Sequence, residues 1–164
     1  MIIRRKTVGS KRLSDKIPAI TDKALYSASA FLRGVETFCQ TDLAGIVELE
    51  SFGAMRPDCF IEISPERAAY LFKLIVRLSG EDGRAFIAIS LTADAMLIMF
   101  KLSYGLPELS EIEEIREAGL TAGFSIRVGE GAIFAETEVK SSDAALGATS
   151  PRDFLSTLIS VFYC

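Results

Sequence analysis

Three pairs of acidic residues have the types and spacing to do chemistry. Glu113 and Glu117 stand four apart within an acidic run that also holds Glu111 and Glu114. On a helix they lie one turn apart, close enough to share a cation. Glu48 and Glu50, and again Glu136 and Glu138, alternate along strand-like sequence, which puts each pair on one face of a sheet. Two carboxylates so placed could divide general-acid and general-base work. Nothing near them in sequence perturbs either pair, so all three read first as solvated faces. Ser150 precedes a helical stretch and is a cap before it is a nucleophile.

What is missing narrows the chemistry further. The chain has no His, no Asn and no Trp. That excludes a Ser-His-Asp or Cys-His site, a His-ligated zinc and a phospho-His relay, and it removes the side chain that titrates near neutrality. Cys39, Cys59 and Cys164 are scattered without Cys-x-x-Cys spacing. Three isolated cysteines make neither a disulfide framework nor a zinc site, and they predict reduced thiols in a cytoplasmic setting.

A chain of 164 residues, 49% hydrophobic and 24% charged, can bury a core without disulfides or metals. Its apolar runs, such as Ala95–Phe100, are too short to span a bilayer. The start, Met1-Ile-Ile-Arg-Arg-Lys, lacks the apolar run and cleavage site of a secretion signal. Residues 1–16 carry Arg4, Arg5, Lys6, Lys11, Arg12 and Lys16 against Asp15, a net of +5. The whole chain is −4, which leaves −9 on residues 17–164. An acidic body disfavours nucleic acid. The basic head reads as a solvated terminus before a contact for nucleic acid or an anionic membrane.

The elements follow from periodicity. Ile17, Ile20, Ala24, Ala28, Phe31, Val35 and Phe38 recur at steps of three and four, predicting one long helix from Ser14 to Cys39. Gly45–Glu50 is a weak strand, and Phe52–Pro57 a loop. Cys59–Ile63 is a short strand running into Ser64-Pro65-Glu66, which supplies an N-cap hydroxyl, a proline at the first helical position and a first-turn acid. The helix this opens extends to Leu78. Ala85–Leu91 and Met96–Leu102 form a hairpin. Ser110-Glu-Ile-Glu113 reads as a capping box for a helix ending near Gly119. Phe124–Val128 and Ala132–Val139 form a second hairpin, Ser141–Ser150 is a linker, and Pro151 opens a closing helix through Phe162.

The stretch Ser64–Pro107 resembles the nucleotide-binding domain of sensor histidine kinases, the GHKL type shared with gyrases and Hsp90-type chaperones. It runs from a Pro-Glu-Arg helix start through a Gly-rich turn and a hairpin to Ser103-Tyr104-Gly105-Leu106-Pro107. The likeness covers roughly residues 41–140. It implies an α+β fold: a two-layer α/β sandwich of the histidine-kinase ATPase type, a mixed sheet covered by helices on one face. Residues 1–40 are then a basic arm and helical extension, and 41–164 the domain with its closing helix.

In that family, two polar residues four apart on the helix position the reacting group and hold magnesium. Counted from Pro65, those positions are Leu74 and Leu78; a slip of one residue gives Lys73 and Arg77. Neither register supplies the oxygen ligands magnesium requires. The family's Asp-x-Gly-x-Gly turn, whose Asp meets adenine, has Ser103, Gly105 and Pro107 here, and proline withholds a backbone donor. Only Glu108 and Leu109 separate Pro107 from Ser110, which leaves no room for a lid. The resemblance thus implies a non-catalytic, pseudo-ATPase regulatory or protein-interaction module of bacterial-type signalling, with no catalytic residue, metal or cofactor. A response regulator or kinase is the expected partner, with a homodimer as a further arrangement. Ile17, Ala24, Phe31, Val35, Phe154, Leu158 and Phe162 are the candidate interface, although the same stripes could simply close the core. The alternative is a nucleotide or small-molecule binding domain with an altered pocket beside Ser103, Gly105 and Lys73.

Overall fold

The strand pair read from Ala85 to Leu102 lies at the heart of the sheet. Along β6 (Ala85–Leu91) and β7 (Ala95–Leu102) every second residue is buried and those between are half-buried or, at Lys101, exposed, as a sheet packed on one face requires. The computed structural model describes residues 7–8, 11–52, 59–80, 82–140 and 153–164. The Phe52–Pro57 loop beyond residue 52, the 141–150 linker, Ser150, Pro151, Arg4, Arg5 and Lys6 lie outside the described residues.

The remaining strands are β1 (Thr7–Val8), β2 (Lys11–Arg12), β3 (Ala24–Ser27), β4 (Val47–Phe52), β5 (Phe60–Ile63), β8 (Ser125–Gly129) and β9 (Ala132–Lys140). β1 and β2 form a small separate pair. The other seven make one mixed sheet in the order β3-β5-β9-β7-β6-β4, with β8 also paired to β9. β4 runs parallel to β6; all other pairings are antiparallel.

Four helices, α1 (Ala28–Gln40), α2 (Pro65–Leu78), α3 (Leu109–Ala122) and α4 (Phe154–Tyr163), cover one face. α2 lies between α3 and α4, and α4 between α2 and α1. Their apolar faces meet Ile87, Ile89, Ile98, Phe100 and Ile133 of the sheet, all buried. Phenylalanines fill the middle: Phe31 and Phe154 stack at 4.6 Å between ring centroids, and Phe38 and Phe162 at 4.7 Å. At roughly 1.5–3 kcal/mol for each fully buried large side chain, this cluster is a principal source of stability. The α+β class and one-faced helical layer implied by the resemblance are what the chain forms.

α2 begins at Pro65 behind Ser64 and ends at Leu78, as its sequence predicts. The N-terminal helix does not. Only Ala28–Gln40 is helical; Ala24–Ser27 is a strand hydrogen-bonded to β5, and residues 13–23 form an extended strap. Ser27 caps α1, its Oγ accepting from the Ala30 amide at 3.2 Å. Upstream, the carbonyls that would have joined a helix are taken by side chains of α2. On either side of residue 40, β3 joins the same sheet as the later strands and α1 packs in the same core cluster.

The capping box of α3 also sits two residues earlier than expected. Glu108 is the N-cap and Glu111 returns to it at 3.1 Å. The helix runs past Gly119 to Gly123, whose φ of +113° suits the left-handed cap. α4 is capped by Asp153, which accepts from the Leu155 amide at 3.1 Å.

Candidate functional site

Residues 73–78 of α2 and 103–108 after β7 are where the resemblance places a nucleotide. Leu74 is 1% exposed and packs into the core, and Leu78 is half-buried against it. The other register is no better placed. Lys73 is fully buried, and its Nζ donates to three backbone carbonyls: Ser14 at 3.0 Å, Lys16 at 2.8 Å and Val161 at 3.0 Å. All three ammonium protons are thereby used. Burial, and then the neighbouring Arg77, push Lys73 down to about 8, with Asp15 opposing. Arg77 is half-buried, with one buried guanidinium nitrogen lacking a hydrogen-bond partner. No carboxylate or carboxamide stands at either register, so none could hold magnesium.

Ser103 closes the hairpin instead of facing a base. Its Oγ accepts from the Arg84 amide at 3.0 Å, and its own amide donates to the Arg84 carbonyl at 2.9 Å. Gly105, at φ +90°, turns the chain, its amide donating to Leu102 at 3.1 Å. Pro107 is half-buried two residues before α3. Six residues, Ser103–Glu108, connect β7 to α3.

The acidic pairs stay apart from one another. Glu113 is exposed and lies 3.9 Å from Arg116, while Glu114 accepts from the Tyr70 hydroxyl at 3.2 Å. Glu117 is also exposed. Glu48, Glu50, Glu136 and Glu138 are exposed on the sheet face away from the helices. Among the described residues no three His, Cys, Asp or Glu side chains converge as a metal site. Cys39, Cys59 and Cys164 are free thiols; burial first, and Glu36 second, push Cys39 up to about 12, far from a thiolate nucleophile.

The candidate interface divides. Phe31, Val35, Phe154, Leu158 and Phe162 are each at most 1% exposed, so these stripes close the core of the chain itself. Ala24 is half-buried within β3, opposite Ile63. Ile17 alone stands out, 63% exposed on the strap.

That strap is the feature sequence reasoning missed. It lies along α2, tied by Lys73 at Ser14 and Lys16, by Arg67 Nη1 to the Pro18 carbonyl at 3.0 Å, and by Thr21 to Ser64 at 2.6 Å. Ser14 also joins α4, its amide donating to Phe162 and its Oγ to Cys164. The signal was Arg67 and Lys73 themselves: cations on a helix with apolar residues on both flanks need backbone acceptors from another segment.

No family model and no curated protein matches the chain. Among solved structures it is similar to the catalytic domain of histidine kinase ThkA, at 14% identity over 74% of this chain and 98% of that one, with a TM-score of 0.44. It is similar to the Acinetobacter baumannii histidine kinase AdeS, at 12% identity over 80% and 70% of the two chains, with a TM-score of 0.43. A third structure, ThkA in complex with response regulator protein TrrA, matches at 15% identity over 74% and 42%, with a TM-score of 0.43. Histidine kinase domains are the class that the residues from Ser64 to Pro107 resemble. No helix among the described residues is long and apolar enough to cross a membrane.

Proposed function

We propose that this chain is a non-catalytic regulatory module on a histidine-kinase-type ATPase scaffold, acting through protein partners without ATP hydrolysis or phosphotransfer. One observation carries the reading: at the helix positions that should hold magnesium, Leu74 is sealed in the core and the adjacent Lys73 is consumed by three carbonyls. Ser103, bonded to Arg84, and Pro107 add to it from the adjoining turn. The partners implied by the resemblance are a response regulator or a kinase, with self-association as a further arrangement.

The competing reading, an altered nucleotide or small-molecule pocket, needs polar groups converging beside Ser103, Gly105 and Lys73. Lys73 turns to the strap and α4, and Ser103 to Arg84, so Lys73 and Ser103 do not converge on one nucleotide. Phosphate release from millimolar ATP·Mg tests the proposal. The expected rate equals the protein-free blank; sustained release that tracks protein concentration through a final gel-filtration step overturns it.

A further inference from the structure

On the sheet face opposite the helices, strand alternation gathers an unusual set of side chains at one end. The Ala85 amide bonds to the Ile46 carbonyl at 2.9 Å and Ser103 bonds to Arg84, so Ile46, Arg84 and Ser103 form one cross-strand row. The register Glu48↔Phe86↔Lys101 forms the next. Successive strand residues point to opposite faces, so Glu48, Phe86 and Lys101 share the open face, and Ile46, Arg84 and Ser103 stand beside them at the strand ends. They line a cavity of about 510 Å³ together with Gly45, Val47, Ala85 and Leu102. That volume falls within the range of small-molecule sites.

Its chemistry is uneven. Phe86 is half-buried and makes an apolar floor, while Ile46 packs towards the core at the cavity's edge. Arg84 and Lys101 are exposed, sit on neighbouring strands, and make no ion pair among the described residues. Among the described residues Glu48 is the single acid lining the cavity. Two cations against one carboxylate select a monoanion, and the phenyl floor selects a flat or apolar body behind it.

We propose that this cavity is a binding site for a small aromatic monoanion. Its carboxylate or sulfonate lies between Arg84 and Lys101, and its ring lies on Phe86. Charge-assisted hydrogen bonds from two cations hold the acid group, and Glu48 receives a donor on the ligand's far side. The cavity shares Ser103 with the turn where the resemblance places a nucleotide, but none of the α2 positions Lys73, Leu74, Arg77 and Leu78 lines it.

The probe is 8-anilinonaphthalene-1-sulfonate, followed by fluorescence on the full chain, with the uncharged N-phenyl-1-naphthylamine beside it. The expected result is saturable one-to-one binding of the sulfonate. The double substitution Arg84→Gln, Lys101→Gln should weaken it at least tenfold and leave the uncharged dye unchanged. Amide-shift mapping of the wild type, which does not depend on how the variant folds, should place the perturbations at residues 46–48, 84–86 and 101–103. Equal sulfonate affinity in wild type and a folded variant, non-saturable binding, or shifts centred elsewhere would each overturn the proposal.

Discussion

Among the described residues the buried cation Lys73 makes no ion pair, and three carbonyls from two different segments take a carboxylate's place. One of them, Val161, lies in the last turn of α4, where the helix dipole favours a positive charge. Removing the amine strands these acceptors, so Lys73→Met should cost about 3 kcal/mol in urea unfolding. A loss below about 1 kcal/mol would mean that water replaces the amine. Titration gives a second residue-scale test. Burial pushes Tyr26 and Cys39 up to about 12 from 10.0 and 9.0, and Tyr163 is raised by burial and its bond to Asp42. Groups raised in the folded state stabilise below their ordinary values and lose that contribution as pH climbs through the raised ones. Lys73, lowered from 10.5 to about 8, works in the opposite sense: its contribution is complete above 10.5 and lost as pH falls through about 8. The two effects oppose each other up to pH 10.5. Lys73 offsets Cys39 alone between pH 9 and 10, and the two tyrosines tip the balance above 10, so stability should fall from about pH 10 and most steeply between 10.5 and 12; a midpoint still rising at pH 11.5 would contradict the assignment. That Leu74 and Leu78 offer no oxygen ligand is legible at this scale, since neither side chain carries one in any fold. The strap on Lys73 was not, because its acceptors are backbone carbonyls and leave no trace in composition.

α1 and α4 approach closely only because Gly34 has no side chain. A Cβ there would stand 2.8 Å from Phe154 Cβ and 2.9 Å from the Leu155 amide nitrogen. Alanine would gain about 1 kcal/mol of helix propensity, but overpacking two backbones costs about 1–3 kcal/mol. Gly34→Ala should thus lower stability by up to about 2 kcal/mol, read from the thermal or urea midpoint; an increase would show that the helices can separate freely. Elements with local signals were legible from sequence. α2 carries its own Ser64-Pro65 start, and the β6–β7 hairpin its own alternation. The strand at Ala24–Ser27 was hidden because its apolar residues also fit a helical stripe. Pairing with β5, a long-range contact, decided between the two. The box at Glu108 was missed because Ser110-x-x-Glu113 offers the same pattern two residues later.

For the molecule as a whole, the apolar stripes that suggested a partner surface are the inside of the protein. Phe31 meets Phe72, Phe124 and Phe154, so Phe31→Asp should not release a soluble monomer. It should abolish cooperative unfolding, since a carboxylate would enter a fully apolar cluster; a folded, monomeric Phe31→Asp would restore the interface reading. The surface left for partners comprises the strap with Ile17, the turn before α3 and the open sheet face. The proposed function requires that a histidine-kinase-type scaffold here binds no nucleotide. Calorimetric titration of the full chain with ATP·Mg at millimolar nucleotide tests that most directly. Heats no larger than dilution are the predicted result. A saturable isotherm with a dissociation constant below about 1 mM would contradict it and return nucleotide binding to the centre of the protein's function.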